Sequence, residues 1–539
     1  MKLFLVFFLI FFLSRLPFIK PQAVFFDSPE YLSRLNEGQF SKALASGHPP
    51  FHAGYLLINW HFFQLAKLSH FNPLLFVQII TIILGFFTIF FFYRLVENLF
   101  SPKLALAASL IFSLNPYFWL ANVSLMIETP YVFFFTLSLY LFSRFLKSGR
   151  KSWLFLSGLA FGFAYFIHPL VIIWLSAFFS VWFLAEKKKK YLKAQLFSCF
   201  IFLSLFYFLN VFLFYQSQLF NLKAAFSFGL FGKTNEHLSL YPLNTLLPRL
   251  LRNWLLLLTK SNTNLLLILF FLSLFYLWYK NQKKFFWAAL AWFLPSLIAN
   301  QWWDSVLIGR HSLLATLPLS LFSLFPFFRS GSGMILTLRE KIFILGLTLN
   351  LLAVSGAALI LLTQPIPYLE LAKATANLPP NSLLLESHFV RPYTSFSGQT
   401  IFINEPGWPK ANLVNLIEEK LAAGKAVFAT SQALNDPYGL YNGPYLHPLS
   451  LNCQGQAELS FIFERYDFLK FLSVNENKHL FIYQIKQKTN KNYSYHDFLI
   501  PAFSRERIDY FDFLSQCWFL TLKALKPFLN SFKIASCVS

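Results

Sequence analysis

Two carboxylates stand apart in a chain that is otherwise mostly apolar. Asp27 opens the polar stretch Asp27-Ser28-Pro29-Glu30-Tyr31-Leu32, and Glu128 sits alone in Met126-Ile127-Glu128-Thr129-Pro130. Ionisable groups between long apolar runs are expensive to keep, and their default reading is functional. Two acids that converge from separate loops suit an acid/base pair or a divalent metal such as Mg or Mn. Each also has a plainer role. Asp27 has the pattern of a helix N-cap, with Pro29 in the first turn and Glu30 three residues on. Glu128 reads equally as a solvated loop residue. Capping and catalysis can coexist at Asp27, because a helix start holds the carboxylate rigidly.

Imidazoles and one arginine complete the chemistry-bearing set. His48 lies in Gly47-His48-Pro49-Pro50-Phe51, where the prolines force an extended turn. It suits phosphate binding or proton shuttling, or simply caps the helix that follows. His168, before Pro169, has the same two readings. Arg310-His311 follows Asn300-Gln301-Trp302-Trp303-Asp304. A cation beside interfacial Trp residues can clamp a lipid phosphate, and the alternatives are snorkelling or pairing with Asp304.

The elements that must position these groups are membrane helices. The chain has 539 residues, 56% hydrophobic and 13% charged, with 72 Phe and a mean hydropathy of +0.53. A soluble domain would carry about 25% charged residues. Apolar runs separated by short basic clusters define a polytopic membrane protein. The net charge of +22 does not point to nucleic acid, because the Lys and Arg lie mostly in short loops, as cytoplasmic loops require. The four cysteines show no metal spacing. Residues 3–13 read as an uncleaved signal anchor.

About eleven spans are expected, at 3–19, 73–93, 104–122, 131–146, 153–167, 169–185, 194–215, 262–279, 285–299, 311–328 and 342–363. The basic loops then share one side, which puts the N-terminus in the cytoplasm and the long loops outside. Residues 29–45 read as a helix. Residues 51–68 carry His52, Asn59, His61, Gln64 and Lys67, so an amphipathic helix on the outer surface is expected there, with another at 245–258. His168-Pro169 marks the tip of the hairpin 153–185. The expected organisation is a transmembrane domain over 1–363 with outer juxtamembrane helices at 29–68. An extracytoplasmic α/β domain over 364–488 follows, and then a tail over 489–539. In the outer domain Ser382–Glu386, Thr400–Ile403, Lys425–Thr430, Glu458–Glu464 and Leu480–Ile485 read as strands, and 410–423 as a helix. Within the tail, 508–529 reads as a surface helix rather than a twelfth span.

The order of these motifs resembles the GT-C membrane glycosyltransferases, most closely their bacterial protein O-mannosyltransferase-like and aminoarabinose-transferase-like members. The matching residues are Asp27-Ser28-Pro29-Glu30-Tyr31, then His48-Pro49-Pro50-Phe51-His52, Leu114-Asn115-Pro116-Tyr117 leading into Ile127-Glu128-Thr129-Pro130, Gly158 to Gly162 before His168-Pro169, and Arg310-His311-Ser312-Leu313-Leu314. Two positions depart from the family pattern: Glu128 stands where Asp is usual, and His168 where Lys is commoner. The resemblance implies a plasma-membrane enzyme. It would move a sugar, a mannose-like hexose, from polyprenyl phosphate to a hydroxyl on a protein, glycan or lipid acceptor outside the cell, with inversion. Asp27 would be the base, with Glu128 as second acid. Arg310, with His48 or a metal, would stabilise the leaving phosphate, and Glu30, His168 and His311 would contact substrate. The rival is a transporter or flippase of lipid-linked intermediates, which would favour inverted repeats and polar groups at mid-membrane. Neither is visible. If Asp27 is only a cap, a structural membrane protein with an outer binding module remains.

Overall fold

A computed structural model of the chain describes residues 2–19, 28–45, 52–185, 189–216, 264–299, 313–328, 336–363, 367–403, 410–435, 462–476 and 480–489. In chain order its helices begin with α1 (Lys2–Arg15), α2 (Ser28–Asn36), α3 (Phe40–Ala45), α4 (Ala53–Leu68), α5 (Pro73–Leu99), α6 (Pro102–Ser113) and α7 (Pro116–Val123). There follow α8 (Glu128–Ser148), α9 (Lys151–Ile167), a 3-10 stretch (Pro169–Leu175), α10 (Ser176–Leu184), α11 (Lys189–Gln216), α12 (Asn264–Tyr279), α13 (Lys283–Ala299), α14 (Thr316–Phe322), α15 (Leu338–Thr363) and α16 (Pro367–Ala374). Then come β1 (Leu383–Ser387), β2 (Gln399–Ile403), α17 (Lys410–Ala422), β3 (Val427–Thr430), α18 (Ser431–Asn435), β4 (Tyr466–Asn475) and β5 (Leu480–Gln487).

The chain divides into two compact units. One comprises residues 1–21 and 37–360, the other 22–36 and 361–539. In the first unit, three helices start on one local signature. Asn72, Ser101 and Asn115 each accept a backbone N–H from the first turn through the side-chain oxygen, and each is followed by Pro. The cap satisfies an orphan donor, and proline fixes φ where no N–H is needed. Asn115-Pro116 therefore restarts the helix inside an apolar run, and α6 and α7 meet at 63°. The single straight span expected at 104–122 is thus bent.

Helix α8 packs on α9 and α5, and α9 packs on α11. The α9–α11 approach is close because Gly162 has no side chain: a Cβ there would lie 2.7 Å from the Cβ of Phe202. A small polar network locks the trio. Ser138 Oγ donates to the Ser157 carbonyl (2.6 Å) and Ser157 Oγ to the Ser138 carbonyl (2.7 Å). Gln195 Nε2 donates to Ser157 Oγ (2.8 Å). Helix α15 is tied in at both ends of α6. Ser355 Oγ donates to the Leu114 carbonyl (2.8 Å), and Glu340 pairs with Lys103 (3.7 Å) while forming a reciprocal cap with Thr337.

By length and composition, three of the described helices are apolar and long enough to cross a membrane, namely α5, α8 and α11. The bent α6–α7 pair would make a fourth. Several other expected spans fall on shorter apolar helices, α9 and α12 among them. The hairpin expected at 153–185 breaks at His168, where α9 ends and the 3-10 stretch begins. The helix expected at 29–45 is split into α2 and α3 around Gly38, a residue costly inside a helix. Helix α4 has 16 residues, and Trp60 Nε1 and Gln64 Nε2 both donate to the Glu37 carbonyl (2.9 and 3.2 Å). The surface helices expected at 245–258 and 508–529 lie outside the described residues.

The second unit is built on a five-stranded sheet of order β2-β1-β3-β5-β4. Strands β2, β1 and β3 run parallel, while β5 and β4 are antiparallel. Both faces are covered: Leu383, Leu385, Val427 and Ile485 pack with Leu413 and Ile417 of α17, and Leu384, Phe428 and Ile482 with Leu371 and Leu378. Burial on both faces explains the unbroken apolar run Leu383-Leu384-Leu385. Of the strand expected at 458–464, residues 458–461 lie outside the described residues, residues 462–463 are helical, and β4 begins at Tyr466. Helix α2 belongs to this unit rather than to the membrane unit in which residues 29–68 were expected. It packs on a 3-10 turn, His388–Tyr393, with Tyr31 and Leu35 buried. The apolar spacing of α2 identifies a buried face but not the distant segment that covers it.

Candidate active site

The site assembles at the ends of three helices of the first unit. Glu128 is the first residue of α8 and only 2% exposed. The preceding Ser124–Met126 turn is held by Ser124 Oγ on the Leu120 carbonyl (2.6 Å) and by Met126 N on the Ser124 carbonyl (3.0 Å). A carboxylate here sits at the N-terminal, positive end of the α8 dipole. Pro130, in the first turn, removes no helical hydrogen bond. One turn along, Tyr131 lays its ring against His168, with centroids 5.2 Å apart.

His168 caps the 3-10 stretch, its Nδ1 accepting the Leu170 N–H (3.3 Å). His52 precedes α4 in the left-handed region (φ 47°, ψ 50°). That backbone turns its ring back, so that Nδ1 meets the Ile167 carbonyl (2.9 Å). The two imidazoles lie 5.4 Å apart and both are buried. A carbonyl can only accept, so His52 carries its proton on Nδ1 and a lone pair on Nε2. The Leu170 N–H can only donate, so His168 has its lone pair on Nδ1 and its proton on Nε2. Gly54 makes this approach possible, since a Cβ there would lie 2.9 Å from the backbone nitrogen of Ile167.

Of the residues singled out in the sequence, Glu128 and His168 fall in this neighbourhood, linked through Tyr131. Glu30 belongs to the second unit, where it pairs with Arg34 in α2 at 3.9 Å, both side chains buried. Asp27, His48, Arg310 and His311 lie outside the described residues. His52 and Tyr131 were not picked out as site residues. Tyr131 is one helical turn from Glu128, a spacing that places two side chains on one face. His52 was absorbed into the polar face of a surface helix, because its positive φ is not written in residue type.

Among the described residues no group of three or more His, Cys, Asp or Glu is placed to hold a metal. Glu128 is a suitable hard oxygen ligand, and a divalent ion would need further oxygen donors, for which Asp27 is the sequence candidate. The donor chemistry is compatible with a metal without requiring one.

Comparison with known proteins adds the following. The family model described as dolichyl-phosphate-mannose-protein mannosyltransferase matches residues 48–214, which include His52, Glu128, Tyr131 and His168. In structure, the chain is similar to ArnT from Cupriavidus metallidurans bound to undecaprenyl phosphate, at 12% identity and a TM-score of 0.52, covering 90% of this chain and 97% of that one. It is also similar to the Archaeoglobus fulgidus oligosaccharyltransferase. The apo form aligns at 13% identity and a TM-score of 0.52 over 81% of this chain and 70% of that one. The complex with Zn and sulfate aligns at 14% and 0.53 over 89% and 72%. The fold is that of the GT-C membrane glycosyltransferases. The expected resemblance therefore holds in sequence for 48–214 and in fold across most of the chain. No curated protein matches the chain in sequence. A GT-C fold supports a membrane location, and with the family match it supports a glycosyltransferase.

Proposed function

We propose that the chain is a glycosyltransferase that moves a mannose-like hexose from a polyprenyl-phosphate donor to an acceptor hydroxyl outside the cell. The observation that carries this reading is the coincidence of the family match over 48–214 with the neighbourhood where Tyr131, His52 and His168 meet, one helical turn from Glu128. The structural neighbour that binds undecaprenyl phosphate supports a prenyl phosphate donor.

In the proposed reaction the acceptor oxygen attacks C1 of the sugar as the C1–O bond to phosphate breaks. The electron pair leaves on the phosphate, which stays on its prenyl chain, and the anomeric configuration inverts. Asp27 takes the hydroxyl proton. Arg310 and His48 stabilise the phosphate charge that grows in the transition state. Glu128, at the start of α8, orients substrate hydroxyls, and His168, reached through Tyr131, is a further substrate contact. A divalent metal, if bound by Asp27 and Glu128, would supply further charge stabilisation to the phosphate. The reading puts the protein in the plasma membrane, N-terminus in the cytoplasm, with 364–488 outside.

The test is a donor screen of purified protein with several polyprenyl-phosphate sugars, comparing wild type with Asp27→Asn. Loss of a general base typically costs 10²–10⁴-fold in rate. Transfer should fall by about that factor with expression intact. Normal turnover by the variant would remove Asp27 from the mechanism, and no transfer from any prenyl donor would remove the function.

A further inference from the structure

Arg15, the last residue of α1, is 3% exposed, and among the described residues no carboxylate pairs with it. Its guanidinium lies between two aromatic faces, 3.7 Å from the Phe11 centroid and 4.2 Å from that of Trp119. Nη1 donates to Ser14 Oγ (2.7 Å) and, at 3.5 Å, to the Phe11 carbonyl. Nη2 donates to the Ser113 carbonyl, at the bend between α6 and α7. The third edge is unmet: among the described residues nothing accepts from Nε.

Two more buried donors in the same neighbourhood share that condition. One is the indole Nε1–H of Trp119, the residue stacked on Arg15. The other is the amide Nδ2 of Asn115, two residues beyond the carbonyl that Arg15 holds. The Asn115 Oδ1 is committed to capping α7, through the N–H groups of Tyr117 and Phe118, which fixes the amide orientation. Folded proteins seldom leave buried donors unmet, and a buried cation without a counter-charge is costlier still. Three orphans of one polarity around one fixed charge call for an anion with several acceptor oxygens. Phosphate supplies three or more, and the planar arginine fork matches it.

We infer that Arg15, Trp119 and Asn115 form a binding site for a phosphate group, carried by a membrane lipid or present as free phosphate. This site goes beyond the transfer reaction above, which assigns phosphate contacts to Arg310 and His48. It is tested by binding alone, so its failure and that of the proposed activity are separable.

The experiment uses full-length protein in detergent micelles, titrated with farnesyl phosphate, phosphatidylglycerol and inorganic phosphate, and followed by phosphorus NMR and thermal melting. Trp119→Phe keeps a ring over Arg15 and removes the N–H together with the second ring of the indole. Arg15→Lys keeps the charge and removes Nε and the planar fork. At least one probe should bind wild type, with affinity reduced roughly 10–150-fold in Trp119→Phe, the worth of one hydrogen bond to a charged group, and further in Arg15→Lys. Farnesyl phosphate binding alone identifies a prenyl lipid, phosphatidylglycerol binding a general lipid headgroup, and inorganic phosphate binding a free anion. Wild-type affinity of both variants for every probe, or no binding of any probe to wild type, would each overturn the site.

Discussion

Glu386 offers a prediction whose size follows from the fold. It lies at the end of β1, fully buried, with Oε1 accepting from Thr430 Oγ1 and from the Ser387 N–H (2.8 Å). Its other oxygen is buried without a partner among the described residues. Burial is the leading cause that pushes this carboxyl up from 4.5 to about 7, and the two hydrogen bonds pull it only partly back. The native state therefore holds the proton more tightly than the unfolded chain. The resulting stabilisation is fully present below pH 4.5 and is lost as pH rises through about 7. At 1.36 kcal/mol per pH unit, the loss between about pH 5 and pH 8 comes to roughly 2–3 kcal/mol. Glu386→Gln removes the titration. It also buries an amide N–H₂ where the unpartnered oxygen was, a constant cost of about 1–3 kcal/mol. The test is thus a slope and not an offset. Hydrogen exchange of β1 and β3 peptides in the full-length protein, corrected for intrinsic rates, should show wild-type protection falling on the order of fifty- to a hundredfold across that range, while the variant stays flat. Parallel pH dependence in both proteins would refute the argument.

Three further outcomes are expected. Glu128→Gln should lower turnover by about 10²-fold or more with little change in melting temperature; unchanged kcat in a transfer assay would make Glu128 structural. Gly54→Ala should destabilise the first unit by about 1–3 kcal/mol, because the new Cβ meets the Ile167 backbone at 2.9 Å; a thermal melt at the wild-type Tm would show that α4 can shift away freely. Cys453 should be labelled by a membrane-impermeant thiol reagent in intact cells, and protection that persists after unfolding in sealed cells would contradict an extracytoplasmic second unit.

Much of the helical layout was legible because its signals are local. The His168-Pro169 break is written in adjacent residues, and α9 ends there; the span expected from residue 73 begins at Pro73, where α5 does. The bend at Asn115 was missed because average hydropathy across 104–122 does not register a capped restart. Strand β4 was missed because Asp467 and Lys470 interrupt its apolar residues. At the site, Glu128 was legible as an acid in the wrong surroundings. His52 was not, since its role depends on a backbone turn and on Ile167, a residue far away in sequence. Glu30 illustrates the converse: the motif marked it as a substrate contact, whereas its geometry is spent on Arg34.

The allocation of α2 to the second unit has a consequence for biogenesis. That helix leaves the ribosome before α5 to α15, yet the turn it packs on, His388–Tyr393, is made only after them. Contacts of such long sequence separation form late. The second unit therefore cannot complete itself while α5 to α15 are being inserted, and the segment that follows Asp27 reaches its final packing last. Chains cut short before residue 388 would present an α2 with nothing to cover Tyr31 and Leu35, a ready signal for quality control. Assembly order thus delays the neighbourhood of the proposed base until the rest of the protein is in the membrane.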